Sequence, residues 1–525
     1  MNDRTLSLDR STLPCGVSPL SSDANASRWF RIGYLLIGLL LLARLIFVAG
    51  STIELSEDEA YQWLWSKHPA LSYFSKPPLI AYTQWLGRSL WGDTAFGVRF
   101  FSPVIAAGLS LLMFRFMARE VSARAGVWLL VIIASTPLMM VGAVLMTIDS
   151  VSVLFWTAAM VSGWQSVRSD SMKSWCWTGL WVGMAFLAKY MLPFHLLSWV
   201  VFFALWKPAR PLLRRPGPYV ASFIAMVCTI PVLVWNQQHD WITLTHLKDR
   251  GGLDEVWVFT CRFLAEFTLA EIGLLNPVFF LGMLLAAVAA WKQRRDGLSV
   301  FCFSMGVPMF LFYWIYTLRA RVQPNWIAPT LLPLACVMVI HWENRLKEGW
   351  NGWRRWLTSG LAFGLLVGPP LHNTGIITTV TGIAVPPASD PKRRVSGWSQ
   401  TAELVEKEFR GVQSDGVPAF VIGSHYGITS LLSFYWPEAR LRVLEDPLVY
   451  YRSSDVPMNQ FYFWKGYSDR KGQNALFVAR ADRPAPPPER LVSEFESVTD
   501  LGMREISVNG RVLHRLQLFK CVGLR

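Results

Sequence analysis

The sequence predicts an α-helical polytopic membrane protein that carries a small soluble α/β domain at its C-terminal end. Composition is the first reason: 52% of the 525 residues are hydrophobic and only 16% are charged, whereas soluble domains carry about 25% charged residues. The second reason is that the apolar residues form blocks, several of them longer than the roughly 18 residues that indicate a bilayer span. Together these features exclude a purely cytosolic globule, a disordered chain and a disulfide-stapled secreted module.

The apolar blocks predict about eleven membrane spans. No small-residue cleavage site follows the first block, which indicates a retained anchor rather than a signal peptide. The predicted spans are 30–50, 95–117, 124–146, 149–166, 175–189, 191–206, 217–235, 273–291, 297–317, 325–341 and 356–380.

The distribution of Lys and Arg predicts the orientation of these spans. Every second loop is basic, beginning with Arg28 and Arg31 before the first span, so the N-terminus and those loops are expected to be cytoplasmic. An odd number of spans then places the C-terminus outside. The net charge of +14 is thus attributed to topology rather than to nucleic-acid binding. The predicted regions are a cytoplasmic tail (1–29), a transmembrane domain (30–380) with a catalytic first outside loop (51–93), and a periplasmic domain (385–525).

The C-terminal region reads as a soluble α/β domain. An amphipathic helix is predicted over 398–409, and short buried strands are predicted over 419–423 and 475–479. Asn509-Gly510 predicts a hairpin turn between two further strands. The seven cysteines of the whole chain show no metal-ligand spacing, so no metal site is readable from the sequence, and no other cofactor is indicated with certainty.

The first outside loop begins with acidic residues and continues with aromatic residues that suit the headgroup layer. Asp58 follows Glu57 and precedes Glu59, and at helical spacing Asp58 shares a face with Tyr61 and Trp65. A carboxylate in this position is accessible to substrates that are anchored in lipid. The alternative is a solvated helix start, where the helix macrodipole favours Asp and Glu.

Asp149 is a second acidic candidate on the same side of the membrane. It lies at the outer end of two apolar blocks, almost without polar neighbours in the sequence. Carboxylates at membrane depth are costly and are by default candidates for function. The alternative role is an N-cap of the fourth span, which is compatible with a functional role.

Cations also occur on the outside, against the charge bias of membrane proteins. Near lipid, Lys and Arg side chains can bind a phosphate headgroup, although simple snorkelling to the interface is the alternative. The cations are Lys76, Lys189, Arg319 and Arg321. Two polar islands add His239, Asn325 and Trp326. His239 is more often a satisfied loop residue than a catalyst, and no second histidine lies at zinc-ligand spacing.

These residue types suit the transfer of a sugar from a lipid-linked phosphate donor. Outside the cytoplasm there is no pool of nucleotide sugars, so an activated sugar must arrive on a membrane carrier. The leaving phosphate, with a second pKa near 6, can depart without a general acid if cations stabilise its charge. The acceptor hydroxyl benefits from a carboxylate base.

A set of ordered motifs resembles the bacterial members of glycosyltransferase family 39. This family includes protein mannosyltransferases, the aminoarabinose transferase that modifies lipid A, and similar galacturonosyl transferases. The resemblance is strongest over residues 30–345. The motifs are Asp58-Glu59-Ala60-Tyr61, Tyr73-Phe74-Ser75-Lys76-Pro77-Pro78, Phe96-Gly97-Val98-Arg99-Phe100, Thr147-Ile148-Asp149, Leu187-Ala188-Lys189-Tyr190, Trp235-Asn236-Gln237-Gln238-His239-Asp240-Trp241 and Gln323-Pro324-Asn325-Trp326.

The resemblance implies a GT-C fold whose active site faces the periplasm, and an inverting transfer from a polyprenyl-phosphate sugar, with undecaprenyl as the expected carrier. By position, Asp58 and Asp149 match the two acids of the family. Lys76 matches a lysine that contacts the donor phosphate, and Trp326 matches an aromatic residue near the carrier phosphate.

The combined expectation is a glycosyltransferase of the bacterial inner membrane that acts on an envelope acceptor such as lipid A, another glycan or a protein. A transporter or flippase of lipid-linked glycans is the alternative function, and a non-catalytic assembly protein is a second one. The predicted catalytic residues are Asp58, Glu59 and Asp149. The predicted substrate-binding residues are Tyr61, Lys76, Lys189, His239, Arg319, Arg321, Asn325 and Trp326.

Overall fold

The computed structural model describes residues 24–50, 53–252, 258–294, 296–383, 385–386, 390–413 and 416–525. A bundle of helices extends as far as Thr381, and a mixed β-sheet with flanking helices follows it. Most of the predicted N-terminal tail (1–29) lies outside the described residues.

The α-helices vary widely in length, and the longest are in the bundle. They are α1 (Ala24–Gly50), α2 (Glu57–Lys67), α3 (Leu79–Trp91), α4 (Ala95–Arg99), α5 (Phe101–Glu120), α6 (Ala123–Ala134), α7 (Pro137–Gly142), α8 (Ile148–Ser169), α9 (Met172–Ala188), α10 (Leu192–Leu205), α11 (Pro216–Val227), α12 (Ile230–Gln238), α13 (Ile242–Arg250), α14 (Arg262–Leu274), α15 (Pro277–Gln293), α16 (Gly297–Tyr316), α17 (Ala328–Lys347), α18 (Trp353–His372), α19 (Gly375–Thr381), α20 (Trp398–Gln413), α21 (Tyr426–Tyr435), α22 (Pro437–Arg442) and α23 (Glu489–Glu494). Short 3₁₀ segments are Lys207–Arg214, Pro324–Ile327, Pro391–Val395 and Gln460–Phe463.

Fewer helices than predicted are long and apolar enough to cross a membrane. Within the described residues there are five, or up to seven if each of two sharply bent helix pairs forms one span. The predicted count of about eleven is therefore not confirmed. The five helices are Asn25–Gly50, Ala95–Glu120, Pro216–Gln238, Gly297–Tyr316 and Pro324–Lys347.

Breaks and short helices account for much of this difference. The predicted span 124–146 divides into α6 and α7, because Pro137 has no backbone N–H to continue α6. The predicted span 273–291 is one arm of the α14–α15 pair, which is bent by 107°. Helices α9 and α10 contain 17 and 14 residues, whereas a span needs about 20.

Helix α17 lies at the centre of the bundle. It packs against α6, α8, α15 and α16, and 83% of its most apolar 18-residue window is buried. A helix that is apolar on all sides is expected in such a central position. The N-terminal end of α17 follows the Pro324–Ile327 turn, so the bundle core fixes the position of that turn.

The C-terminal domain contains a five-stranded sheet in the order β2-β1-β3-β5-β4. Neighbours β1–β2 and β1–β3 are parallel, whereas β3–β5 and β4–β5 are antiparallel. The predicted hairpin is confirmed, since Asn509 and Gly510 adopt positive φ angles of 52° and 74° and connect β4 to β5. The strands are β1 (Ala419–Gly423), β2 (Val449–Tyr451), β3 (Asn474–Arg480), β4 (Phe495–Val508) and β5 (Arg511–Leu524).

The first loop and the C-terminal domain share one hydrophobic core. Leu55, Trp63 and Leu64 of the loop pack in the same buried cluster as the sheet domain. The Glu54 carboxylate accepts a 2.9 Å hydrogen bond from the Ser399 backbone N–H and another from that of Trp398. Glu54 therefore caps the first turn of α20 from a distant part of the chain. This packing holds the domain over the end of the bundle at which α8 begins.

Candidate active site

Asp149 lies at the start of α8 and connects three parts of the bundle. Its Oδ1 accepts a 2.8 Å hydrogen bond from Lys189 Nζ at the end of α9, and its Oδ2 accepts one of 2.6 Å from Asn325 Nδ2. The N-cap residue of α8 is Thr147, so capping does not account for the Asp149 carboxylate. The side chain of Asp149 is 15% exposed and that of Lys189 is 12% exposed. The pair is thus largely, but not fully, shielded from solvent.

Lys76 lies in the turn between α2 and α3 and is surrounded by charged groups. The turn is fixed by a 3.1 Å hydrogen bond from the Tyr73 N–H to the Lys76 carbonyl. Burial and, to a smaller extent, the nearby cations Arg250 and Lys189 lower the pKa of the Lys76 ammonium from 10.5 to about 8. Asp149 and Asp58 act in the opposite direction. The structure therefore brings the predicted residues Lys76, Lys189, Asp58 and Asp149 together.

Helix α13 contributes two residues that were missed at the sequence level. Arg250 lies with its guanidinium carbon 5.5 Å from the ring centre of Trp326, a cation–π geometry. His246 packs on Phe74 with 4.7 Å between ring centres. Burial, followed by Arg250 and Lys76, lowers the pKa of His246 to about 4, so its imidazole is neutral near pH 7. The i, i+4 spacing of His246 and Arg250 was the signal that could have identified them.

Asp58 lies in the first turn of α2 and is exposed. The Tyr426 hydroxyl, from the C-terminal domain, donates a 3.1 Å hydrogen bond to Asp58 Oδ1. Burial raises the pKa of Tyr426, as do the negative charges of Asp58 and Glu57, so the phenol remains protonated as a donor. The domain thus orients this carboxylate and leaves it accessible.

Glu59, in contrast, is fully buried and saturated with donors. Arg99 donates from Nε and Nη2 to its two oxygens at 2.7 Å each, and the Met146 N–H donates to Oε1 at 3.0 Å. Ser56 completes a capping box with Glu59. Burial alone would raise the pKa of Glu59, but Arg99 and these hydrogen bonds outweigh it and hold the pKa below its usual value. This engagement argues against the catalytic role predicted for Glu59 and favours a positioning role.

Four other predicted residues have their contacts elsewhere. Tyr61 packs between Trp65 and Phe461, and its hydroxyl accepts a 2.6 Å hydrogen bond from the Gln460 N–H. His239 forms a 2.7 Å hydrogen bond with the Trp235 carbonyl one turn earlier. Arg319 donates to the Gly252 carbonyl, and the Arg321 Nε lies 3.9 Å from the Glu266 Oε2. These contacts give Tyr61 a domain-docking role, and they do not place His239, Arg319 or Arg321 with Lys76.

The resulting constellation has two carboxylates, three cations and an aromatic ring at one end of the bundle. Lys76, Lys189 and Arg250 can stabilise a phosphate, because a low-dielectric site strengthens their attraction for an anion. Asp58 remains available to a hydroxyl group. Such an arrangement suits group transfer from a phosphate leaving group.

Sequence comparison connects the chain to known sugar transferases. Residues 75–235 match the model of a family described as dolichyl-phosphate-mannose-protein mannosyltransferase. The chain is 27% identical over 323 residues to the lipid A galacturonosyltransferase RgtD of Rhizobium johnstonii, covering 60% of this chain and 67% of the relative.

A second group of relatives consists of aminoarabinose transferases. The chain is 26% identical over 345 residues to the undecaprenyl phosphate-alpha-4-amino-4-deoxy-L-arabinose arabinosyl transferase 2 of Pseudomonas fluorescens, covering 60% of each protein. A corresponding Pseudomonas aeruginosa enzyme aligns over 55% of this chain and 53% of its own length. The alignments thus span between about half and two thirds of these relatives. They confirm the predicted resemblance.

Comparison with solved structures covers nearly the whole chain. ArnT from Cupriavidus metallidurans bound to undecaprenyl phosphate superposes with a TM-score of 0.63 at 14% identity, over 94% of this chain and 98% of ArnT. Its apo structure gives a TM-score of 0.61 over the same shares. The chain therefore has an ArnT-like GT-C fold, which confirms the predicted fold class.

Proposed function

We propose that this protein is a membrane glycosyltransferase that transfers a sugar from a polyprenyl-phosphate donor to a lipid A-type acceptor. The observation that carries the proposal is the clustering of Lys76 with Arg250, Lys189, Asp149 and Asp58. The names of the relatives support the choice of substrates, since they specify undecaprenyl phosphate-linked aminoarabinose and lipid A. ArnT, which shares the fold, has been solved with undecaprenyl phosphate bound.

The donor phosphate is assigned to Lys76, Arg250 and Lys189. As the bond between the sugar and the phosphate breaks, negative charge grows on the phosphate oxygens. Cations that are already fixed in position stabilise this charge without further reorganisation. Lys189 is held by Asp149 at 2.8 Å and Arg250 by the ring of Trp326, so both are oriented before the donor arrives.

The acceptor hydroxyl is assigned to Asp58. Both oxygens of Asp149 already accept hydrogen bonds from protein side chains, whereas Asp58 accepts one from Tyr426 and is exposed. Asp58 is therefore the better general base, and Asp149 orients Lys189 and Asn325. A single displacement in which the hydroxyl attacks opposite the leaving phosphate inverts the anomeric carbon.

The proposed location is the bacterial inner membrane, with this end of the bundle facing the periplasm. The alternation of basic loops along the sequence supports that orientation. We propose the regions 30–380 and 385–525 as the transferase domain and a periplasmic domain, the latter presenting Tyr426 to Asp58. Lipid-linked donors are the form of activated sugar that is accessible on that face.

The test is transfer from undecaprenyl phosphate-linked sugars to lipid A by the purified protein and its Asp58→Asn and Lys76→Ala variants. We expect Asp58→Asn to reduce the rate by about 10²–10⁴, the usual contribution of a general base. Asp240→Asn is the matched control, because Asp240 is exposed and has a positive φ of 52° that Asn tolerates. Wild-type rates in folded Asp58→Asn and Lys76→Ala proteins would reject the proposal.

A further inference from the structure

Arg44 is a charged residue inside the first apolar helix. It lies six residues before the end of α1 at Gly50, and its side chain is partly buried. Across the part of the chain that the structure describes, its guanidinium has no hydrogen bond and no ion pair. An unpaired charge within a membrane-spanning helix is costly, and such residues by default indicate a function.

Arg44 lines a cavity of about 230 Å³ that is mainly apolar. The walls come from α1, α5, α6, α7 and the start of α8, with side chains such as Leu109, Ile133 and Val153. This volume is many times the roughly 10–15 Å³ that one water molecule needs. The cavity is therefore large enough for a headgroup fragment.

The same cavity also reaches Asp149 and Asn325. Outside the cavity, the Asp149 carboxylate accepts a hydrogen bond from Lys189 and acts on the charge of Lys76. None of the donor-phosphate cations Lys76, Lys189 and Arg250 lines the cavity. The Asp149–Asn325 pair thus lies between two regions. One region contains the three cations, and the other contains Arg44 within an apolar wall.

We propose that this cavity is a binding site for the anionic headgroup of the lipid acceptor, with Arg44 as the residue that binds its phosphate. The proposal rests on the proposed function, because sugar transfer between two lipids requires both to reach one reaction centre. The cations on the other side of Asp149 bind the donor phosphate, which leaves Arg44 for the acceptor. A guanidinium binds phosphate oxygens through two parallel N–H donors, and an apolar surrounding strengthens this contact.

The test measures lipid binding rather than transfer. Full-length protein in nanodiscs is titrated with three probes, namely bisphosphorylated lipid A, the same lipid after removal of its phosphates, and undecaprenyl phosphate. We expect Arg44→Leu to weaken the binding of bisphosphorylated lipid A by about 10- to 100-fold, the value of a lost charge-assisted hydrogen bond. Binding of dephosphorylated lipid A and of undecaprenyl phosphate should not change.

Matched variants separate this site from charge and folding effects. Arg31→Leu removes an exposed arginine from the same helix and should leave all three affinities unchanged. Arg44→Lys keeps the charge without the bidentate geometry and should retain part of the affinity. If Arg44→Leu does not fold, Arg44→Lys provides the test. Its affinity for bisphosphorylated lipid A should fall relative to its affinity for undecaprenyl phosphate.

Two outcomes overturn the proposal: equal lipid A binding by the wild type and the folded Arg44 variants, or a loss confined to undecaprenyl phosphate. Failure of the proposed function has a different signature. In that case the wild-type protein binds lipid A and the carrier but transfers no sugar, and the Arg44 result stands independently. Lys76→Ala, conversely, should weaken the binding of undecaprenyl phosphate and spare that of lipid A.

Discussion

Two ion pairs, Glu59–Arg99 and Asp149–Lys189, lie close together at this end of the bundle. They differ in how many hydrogen bonds the carboxylate accepts and in how far it is exposed. Glu59 is 0% exposed and receives donors on both oxygens from Arg99, with Met146 and Ser56 in addition. Asp149 is 15% exposed and receives one donor on each oxygen. The comparison indicates that Glu59, whose oxygens all have buried donors, stabilises the structure of the site. Asp149, which is partly accessible, can respond to a substrate.

The largest expected effect is on stability, at the saturated pair. Glu59→Ala leaves the buried Arg99 without its counter-charge, which should cost about 3–5 kcal/mol of unfolding free energy. Thermal unfolding in detergent measures the loss. If the Glu59→Ala protein has wild-type stability but transfers no sugar, Glu59 is a catalytic acid and not a structural one.

The next effect is on activity, at the accessible pair. Asp149→Asn removes the charge that orients Lys189 and should reduce kcat by about 10²-fold, similar to the loss of one electrostatic contact in a preorganised site. Its unfolding temperature should remain close to that of the wild type. If Asp149→Asn unfolds as easily as Glu59→Ala, the two pairs do not differ in role.

The pH dependence provides a third test. The pKa of Lys76 is about 8 in the folded protein, below its usual value of 10.5, because of burial and neighbouring cations. Lys76 therefore loses its charge as the pH rises through 8, and kcat/KM should fall about tenfold per pH unit above it. Lys76→Arg should remove this alkaline decline, since Arg remains charged. A decline that persists in Lys76→Arg would assign it to another group.

The smallest effect is expected at an exposed pair in the same loop. Glu57 pairs with Arg480 of the C-terminal domain, with 26% and 36% of their side chains exposed. Glu57→Ala should cost less than about 1 kcal/mol, because water and salt screen such pairs. Chemical denaturation of the Glu57→Ala and Glu59→Ala proteins, measured side by side, gives the loss of unfolding free energy for each. The difference tests whether burial, rather than charge alone, distinguishes two acids that are two residues apart.

The sequence was sufficient to predict the fold class, and the structure brings six of the predicted residues together, namely Asp58, Asp149, Lys76, Lys189, Asn325 and Trp326. Hydrophobic blocks, the Asn509-Gly510 turn and the strand over 419–423 are local signals, and the structure confirms the turn and that strand. The span count was not confirmed, because a break such as that at Pro137 depends on packing as well as on hydropathy. Lys76 could be predicted because it is a cation in an outside loop, and Asp149 because it is a carboxylate at the end of two apolar blocks.

Residues that depend on distant contacts could not be predicted in the same way. Tyr426 reaches Asp58 across 368 positions of sequence, and no local pattern signals such a contact. Arg99 was part of a motif, but its pairing with Glu59 is visible only in three dimensions. Arg250 is the last residue of α13, and although its i, i+4 spacing from His246 is a local signal, its proximity to Lys76 arises from the tertiary fold.

The cap that Glu54 provides for α20 has a consequence for biogenesis. Its partner Ser399 is 345 residues further along the chain, and at about 5–20 residues per second a ribosome needs about 17–70 seconds to synthesise that stretch. During this interval the aromatic loop has been made but the domain that will cover it has not. Newly inserted protein therefore passes through a vulnerable period, in which holding factors or proteases can reach Trp63 before its permanent neighbours exist.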